Sequence, residues 1–392
     1  MRTNAAVLTA TFLFVFAATA ASDLPDTFGD PLPGLTPTQR SAFQDGLAEF
    51  TDIETVEDGL GPVFNGRSCG ECHNVPVIGG GSERTEIRFG MLTNDVFDPL
   101  GQLGGSLIQD HAVGPADLAG IHQFTPDALP ELATIVAPRR TTPVFGLGLV
   151  DAVPDADFYA LAAEESARGD GTAGRVSIVT DLVHGGTSVG KFGWKAQVPN
   201  LEQFSGDAYL NEMGITNPLF PNENCPGGDC DELASNPEPV LNDDGHGVAA
   251  FADFMTMLGA PPRAPRQGNF TEGEEVFDQI GCASCHVANM KTGPSEIPAL
   301  RHRPFHPYSD FLLHNMGSLG DGIAQGDASG SEMRTAPLWG LRMVTRFLHD
   351  GSATSIEEAI LAHDGQGKGA RDRFNALAAE DRSKLLEFLG SL

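Results

Sequence analysis

The motif Cys-x-x-Cys-His occurs twice, as Cys69-Gly70-Glu71-Cys72-His73 and as Cys282-Ala283-Ser284-Cys285-His286. In this pattern two thiols can add to the vinyl groups of one haem while the adjacent imidazole gives an axial nitrogen to its iron. Cys69, Cys72 and His73 are the candidate attachment set of a first haem, and Cys282, Cys285 and His286 of a second. The competing reading is a zinc or redox C-x-x-C that happens to precede His. Duplication, with each copy following a helix of the same pattern, argues against it.

The chain has 392 residues, enough for two or three domains. Residues 1–21 read as a signal peptide: Arg2 is followed by an apolar run, and Ala18, Thr19 and Ala20 offer small residues for cleavage. No other run reaches the ~20 apolar residues of a membrane span, so no membrane insertion is expected after signal cleavage. The mature protein is expected to be soluble and periplasmic. Cys225 and Cys230, the two cysteines outside the haem motifs, suit a small disulfide loop in an oxidising compartment. A net charge of −29 excludes nucleic acid as a natural partner. It fits a small redox protein, as electron donor or acceptor.

Two further segments repeat. Phe43-x-x-Gly46-x-x-x-Phe50 recurs as Phe270-x-x-Gly273-x-x-x-Phe277. Thr36, Pro37 and Gln39 predict the start of the first of these helices, with Phe43, Leu47 and Phe50 on one face. Downstream, Arg140-Thr141-Thr142-Pro143-Val144-Phe145-Gly146-Leu147 matches Arg334-Thr335-Ala336-Pro337-Leu338-Trp339-Gly340-Leu341. Repetition at this level predicts two related haem units, and Arg140 and Arg334 are candidates to pair with haem propionates. The expected fold is mainly α, with two cytochrome c-like haem domains, the first carrying long irregular insertions and little β. The first spans 22–258, a Pro-rich linker 259–268, and the second 269–392. A helix is expected at 245–258 and a strand within 175–183. Thr354 and Glu357 suggest a helix cap, and Leu385, Leu386 and Leu389 give the last helix its apolar face. The turn 169–174 resembles a degenerate calcium loop with too few carboxylates to support calcium binding.

A reactive haem needs an open iron face, whereas an electron-transfer haem has both faces filled. Met316 is the first candidate for the sixth ligand of the second haem, with His349 and His314 as alternatives and Met343 weaker. For the first haem, Met91, His111 and His122 fit surface or core roles better than ligation. Candidate proton donors are Asp155 and His111. Trp194 and Trp339 are candidate electron relays, with plain core packing as the competing role.

The stretches DGLGPVFNGRSCGECH, GKFGWKAQVP, EMGITNPLFPNENC, GCASCH, YSDFLLHNMG and RTAPLWGL followed by RFLHDGSATSIEEAI carry a resemblance. They resemble the dihaem c-type oxidoreductases related to bacterial cytochrome c peroxidase and the MauG-type enzymes, in a group sometimes labelled thiol oxidoreductase. The resemblance implies two covalent haems and peroxidase-like chemistry, one haem meeting the oxidant and the other relaying electrons. Such relatives commonly carry Met just before the HDG of the last motif. This chain has Leu348 there, so its second iron needs a ligand from elsewhere. The alternative from another class is a dihaem electron-transfer cytochrome without turnover.

Overall fold

The computed structural model describes residue 25 and residues 27–114, 122–265, 268 and 270–392. The signal segment read at 1–21 lies outside them. The helices are α1 (Pro37–Thr51), α2 (Cys69–Cys72), α3 (Leu147–Asp151), α4 (Asp155–Arg168), α5 (Leu201–Met213) and α6 (His246–Met257) in the first part of the chain. After the Pro-rich segment come α7 (Phe270–Gln279), α8 (Ile356–Ala362), α9 (Lys368–Asn375) and α10 (Ala379–Leu389). Helix α1 begins as its sequence predicts. The Thr36 hydroxyl accepts the Gln39 N–H while the Gln39 side chain accepts the Thr36 N–H.

The repeated helices make the same crossing twice. Helix α1 meets α6 at Gly46, where an added Cβ would lie 2.4 Å from the Ala250 carbonyl oxygen. Helix α7 meets α10 at Gly273, where it would lie 2.3 Å from the Lys384 carbonyl oxygen. Phe50 packs on Phe254 (4.7 Å between ring centres) in the first crossing, and Phe277 on Phe388 (5.5 Å) in the second. Gly46→Ala or Gly273→Ala is therefore expected to cost about 1–3 kcal/mol by overpacking, visible as a lower denaturation midpoint. An unchanged midpoint in both variants would mean that the helices can separate freely at these points. The second repeat also has a conformational reason. Gly146 (φ 69°) and Gly340 (φ 76°) both sit in the left-handed region and both cap the helical turn that follows.

Strand content exceeds the little β expected of the first half. Strands β1 (Val63–Phe64), β2 (Thr85–Thr93), β3 (Val96–Asp98), β4 (His111–Ala112), β5 (Ile135–Arg140), β6 (Ser177–Thr180) and β7 (Thr187–Gly190) all lie there. The second half adds β8 (Met290–Lys291), β9 (Pro304–Phe305), β10 (Leu313–Asn315) and β11 (Glu332–Arg334). Among the described residues they form antiparallel two-stranded ribbons and one three-stranded sheet of order β3-β2-β5. Pairing of β2 with β5 joins segments far apart in sequence, which no local periodicity announces. The strand expected within 175–183 shortens to β6, and the helix expected at 245–258 is α6. The cap of α8 is Ser355 rather than Thr354. The Ser355 hydroxyl accepts the Glu358 N–H, while the Thr354 N–H goes to the Glu358 carboxylate.

The larger apolar core joins α1, α5 and α6 to Leu300, Phe305, Phe311 and Leu312, which come from beyond the Pro-rich segment. The smaller one is built by α7 and α10 with Tyr308 and Phe374. A boundary at 259–268 thus separates the two helix crossings but not the two cores, because the chain near 299–312 returns to the first. Charges cross as well. Arg175 binds Asp327 and Glu332 (2.6 Å each), and Asp321 binds both Arg139 (2.7 Å) and Lys195 (2.9 Å).

Candidate haem sites

Each Cys-x-x-Cys-His segment follows its helix crossing. His73 Nδ1 lies 3.0 Å from the Gly80 carbonyl oxygen, and His286 Nδ1 lies 2.9 Å from that of Tyr308. A carbonyl only accepts, so Nδ1 carries the proton in both rings and Nε2 keeps its lone pair. Burial pushes both imidazoles down to about 4, which keeps them neutral and able to ligate. Phe50 and Phe277, equivalent in the repeat, stand beside His73 (5.8 Å) and His286 (6.4 Å).

Two cavities open on these histidines. The smaller, of about 170 Å³, is lined by Cys69, Cys72 and His73. The larger, of about 300 Å³, is lined by Cys282, Cys285 and His286. They share a wall made by Arg140, Thr141, Thr142, Gly193, Trp194 and Phe204. The residues fit a c-type haem in each: two thiols, a neutral imidazole with a free Nε2, and an arginine beside them. Arg140 Nε is buried without a protein partner, a donor suited to a propionate. Burial raises the pKa of all four thiols, Cys72 to about 11 and Cys282 to about 12.

Trp194 stands in the shared wall. Its indole Nε1 donates to the Arg140 carbonyl (2.8 Å), its own carbonyl accepts the Arg334 N–H (2.9 Å), and Arg334 Nε donates to the Gly193 carbonyl (2.7 Å). The two repeat arginines therefore clamp this turn from either side. Lys195, fully buried, fixes its far end through Asp321 and the carbonyls of Ser329, Gly330 and Glu332. Trp339 lines the larger cavity alone and packs against Phe305 (6.0 Å).

The smaller cavity contains an acid that sequence reasoning missed. Helix α5 places Phe204, Ala208 and Glu212 on its wall at a spacing of four. That stripe, with a carboxylate in it, is the signal that could have found the group. Burial raises the Glu212 pKa well above the carboxylate range, and the charge of Glu86 raises it further. Burial would also raise Glu86, but the Arg88 guanidinium, bonded to both its oxygens (3.0 and 3.1 Å), holds it low. The proton thus rests on Glu212, whose Oε2 accepts from Asn65 Nδ2 (2.9 Å). Met213 and Met255 also line this cavity.

The two expected proton donors lie elsewhere. Asp155 opens α4, accepts the Val189 N–H and pairs with Lys191 (3.3 Å). His111 is exposed, paired with Asp110 and stacked on Phe64 (5.5 Å). Neither lines either of these two cavities, nor do Met91 and His122, the latter beside Glu232 (3.4 Å) and Phe124 (4.4 Å). Short local motifs nominated them, and long-range packing carried them away from the histidines.

On the larger cavity the structure separates the four ligand candidates. Met343 is exposed. His314 has both ring nitrogens engaged, Nε2 with Asp310 (2.8 Å) and Nδ1 with Cys285 Sγ (3.5 Å). Burial opposes its charge, but Asp310 holds it protonated, pushed up to about 11. The ligand atoms of Cys285, Asp310 and His314 lie within 4.8 Å of one another, and Cys285 is also the second thiol of the Cys-x-x-Cys-His motif. His349 sits 6.2 Å from the Trp194 ring, and its carbonyl accepts the Arg140 N–H. Met316 lines the cavity with its methyl carbon near Gly367. A histidine not foreseen, His363, lines it too, its ring centre 6.5 Å from that of His286. Cys225 and Cys230 are joined in a disulfide. The 169–174 turn brings one carboxylate, Asp170, which accepts from Thr172.

Two haem-binding motifs opening on adjoining cavities define a dihaem redox protein. Residues 128–392 match the family described as "di-haem oxidoreductase, putative peroxidase", and the chain belongs to that family. No curated protein matches the sequence. Among solved structures it is similar to the hydrazine synthase of Kuenenia stuttgartiensis, at 13% identity, 98% coverage of this chain and 100% of that one, and a TM-score of 0.40. A MauG-like protein associated with microbial copper homeostasis follows, at 14% identity, 95% coverage of both chains and a TM-score of 0.40. A variant of the diheme peroxidase BthA from Burkholderia thailandensis shares 14% identity over 94% of this chain and 92% of its own, with a TM-score of 0.39. Among the described residues no helix is long and apolar enough to cross a membrane.

Proposed function

We propose that this is an exported c-type dihaem oxidoreductase with peroxidase-like activity. Cys69, Cys72 and His73 hold the haem that meets the oxidant; Cys282, Cys285 and His286 hold the one that relays electrons. The observation that carries this reading is a carboxyl, Glu212, raised by desolvation and lining the first of two cavities that share Trp194 in their wall. Haem bound in the first cavity supplies an iron face and electrons for O–O cleavage.

Reduction of one hydrogen peroxide to two waters consumes two electrons and two protons. Glu212 would supply one of these protons and solvent the other, and Asn65 orients the carboxyl through the 2.9 Å bond to Oε2. Arg88 keeps Glu86 ionised, so that the shared proton stays on Glu212. Trp194, bonded to backbone from both repeat segments, provides the short path between cavities. The electrons come from a small redox protein, for which the strongly acidic chain offers a cationic partner a docking field.

Intact mass of the mature chain should show two haem additions, and Cys282→Ala together with Cys285→Ala should remove one of them. With reduced donor present, the wild-type protein should consume peroxide, and its reduced form should bind carbon monoxide at one iron. Failure of carbon monoxide to bind at either iron would favour the electron carrier, with Met213 or Met255 filling the first site.

A further inference from the structure

We propose that His363 is the second axial ligand of the haem attached at Cys282 and Cys285, which makes that haem bis-histidine. The inference rests on the reading of 282–286 as a haem site.

His363 and His286 line the same cavity with their ring centres 6.5 Å apart. His363 Nδ1 lies 2.7 Å from the Ala359 carbonyl oxygen, as His286 Nδ1 lies 2.9 Å from that of Tyr308. Each ring therefore carries its proton on Nδ1 and keeps a lone pair on Nε2. The ring centres are 6.5 Å apart and the planes inclined by 57°. A metal–nitrogen bond of about 2.0 Å on each side, with each ring centre about 1.1 Å behind its nitrogen, would place two imidazoles sharing one metal about 6.2 Å apart. The observed spacing is the one a single iron would need.

The chain around His363 is built to deliver the ring. It is the residue at which α8 ends, leaving the helix with φ −60° and ψ 132°. Its carbonyl is held by Arg371 Nη1 at 2.7 Å. Gly365 follows in the left-handed region (φ 52°), and a Cβ at Gly367 would lie 3.1 Å from the His363 ring. A side chain there would crowd the imidazole. The rivals lack such an arrangement: His314 has both nitrogens engaged and His349 stands against Trp194, while Met316 flanks Gly367 beside the His363 ring.

With both faces of its iron filled by protein nitrogen, the second haem moves electrons and leaves the oxidant to the first. Two imidazoles also favour ferric iron more than an imidazole and a thioether do. This site therefore holds a lower potential than the Met316 ligand set would give.

The test uses the two-haem protein, with haem content fixed by mass before any spectrum is read. Near-infrared magnetic circular dichroism of the oxidised wild type should show low-spin iron with two nitrogen ligands. His363→Gly should turn that haem high-spin, and added imidazole should restore the low-spin signal. His363→Met, which can still ligate, should keep it low-spin, add a thioether-to-iron band and raise its midpoint potential. In the variant lacking Cys282 and Cys285 the same substitutions should move nothing. A wild-type thioether band lost in Met316→Ala, or a bis-nitrogen signal that survives His363→Gly, overturns the assignment. A chain without haem at 282–286 overturns instead the reading on which it rests.

Discussion

Glu212→Gln is expected to lower peroxide turnover by about 10²–10⁴-fold, the span typical of a lost general acid, while both haems remain attached. Glutamine keeps the size and the bond to Asn65 but has no proton to give. The wild type should also show a pH limb that the variant lacks. Glu212 is raised above the ordinary carboxylate range by burial and by the Glu86 charge. The donor form is therefore present at neutral and lower pH, and turnover should fall as pH rises through that raised value. A variant with unchanged turnover and an unchanged pH profile would remove Glu212 from the mechanism. Arg88→Leu is the companion test: it frees Glu86 to take the proton, so the limb should move even though Glu212 is intact.

Asp321→Ala is expected to cost about 3–5 kcal/mol, the penalty for removing one partner of a buried charge group. Asp321 is the shared anion of Arg139 and Lys195, and all three side chains are nearly or fully inaccessible. Without it two cations stay buried with no counter-charge. The effect should appear as a large drop in the denaturant midpoint. It should be accompanied by slower electron passage between the haems, because Lys195 follows Trp194 directly. Burial acts to raise the Asp321 carboxyl, but Arg139 and Lys195 together hold it below its usual value. Its contribution is thus complete above the unfolded carboxylate value of about 4 and is lost as pH falls through the lower folded value. The difference between wild type and variant should shrink in strong acid. A difference that persists there would mean that Asp321 acts by packing and not by charge.

The candidate site was legible to unequal depth. The six candidate attachment residues needed only spacing, because covalent attachment would require both thiols and the imidazole within five consecutive residues. The helix repeat gave Gly46, Gly273 and the phenylalanines beside the two histidines, since a close helix crossing imposes its small residue at a fixed offset. Glu212 and His363 escaped because neither lies near a haem motif in sequence. Glu212 reaches its cavity from a helix that begins well over a hundred residues after His73, and His363 approaches His286 from the end of α8. Met316, nominated by proximity along the chain, does line the larger cavity. His111 and Asp155 line neither of the two cavities.

What the sequence determined by itself was local: two Cys-x-x-Cys-His motifs, a duplicated helix and turn, a capped α1, the cysteine pair 225 and 230, and a strongly acidic balance. Each is set by residues within one or two turns of chain, where steric and hydrogen-bonding rules act directly. Only the tertiary structure decided which side chains meet across the cavities. There the chain near 299–312 folds back into the first core, Trp194 is clamped between two repeat arginines, and burial together with the Glu86 charge raises the Glu212 carboxyl. Those outcomes depend on desolvation and on contacts between distant segments, and both exist only once the cores have closed.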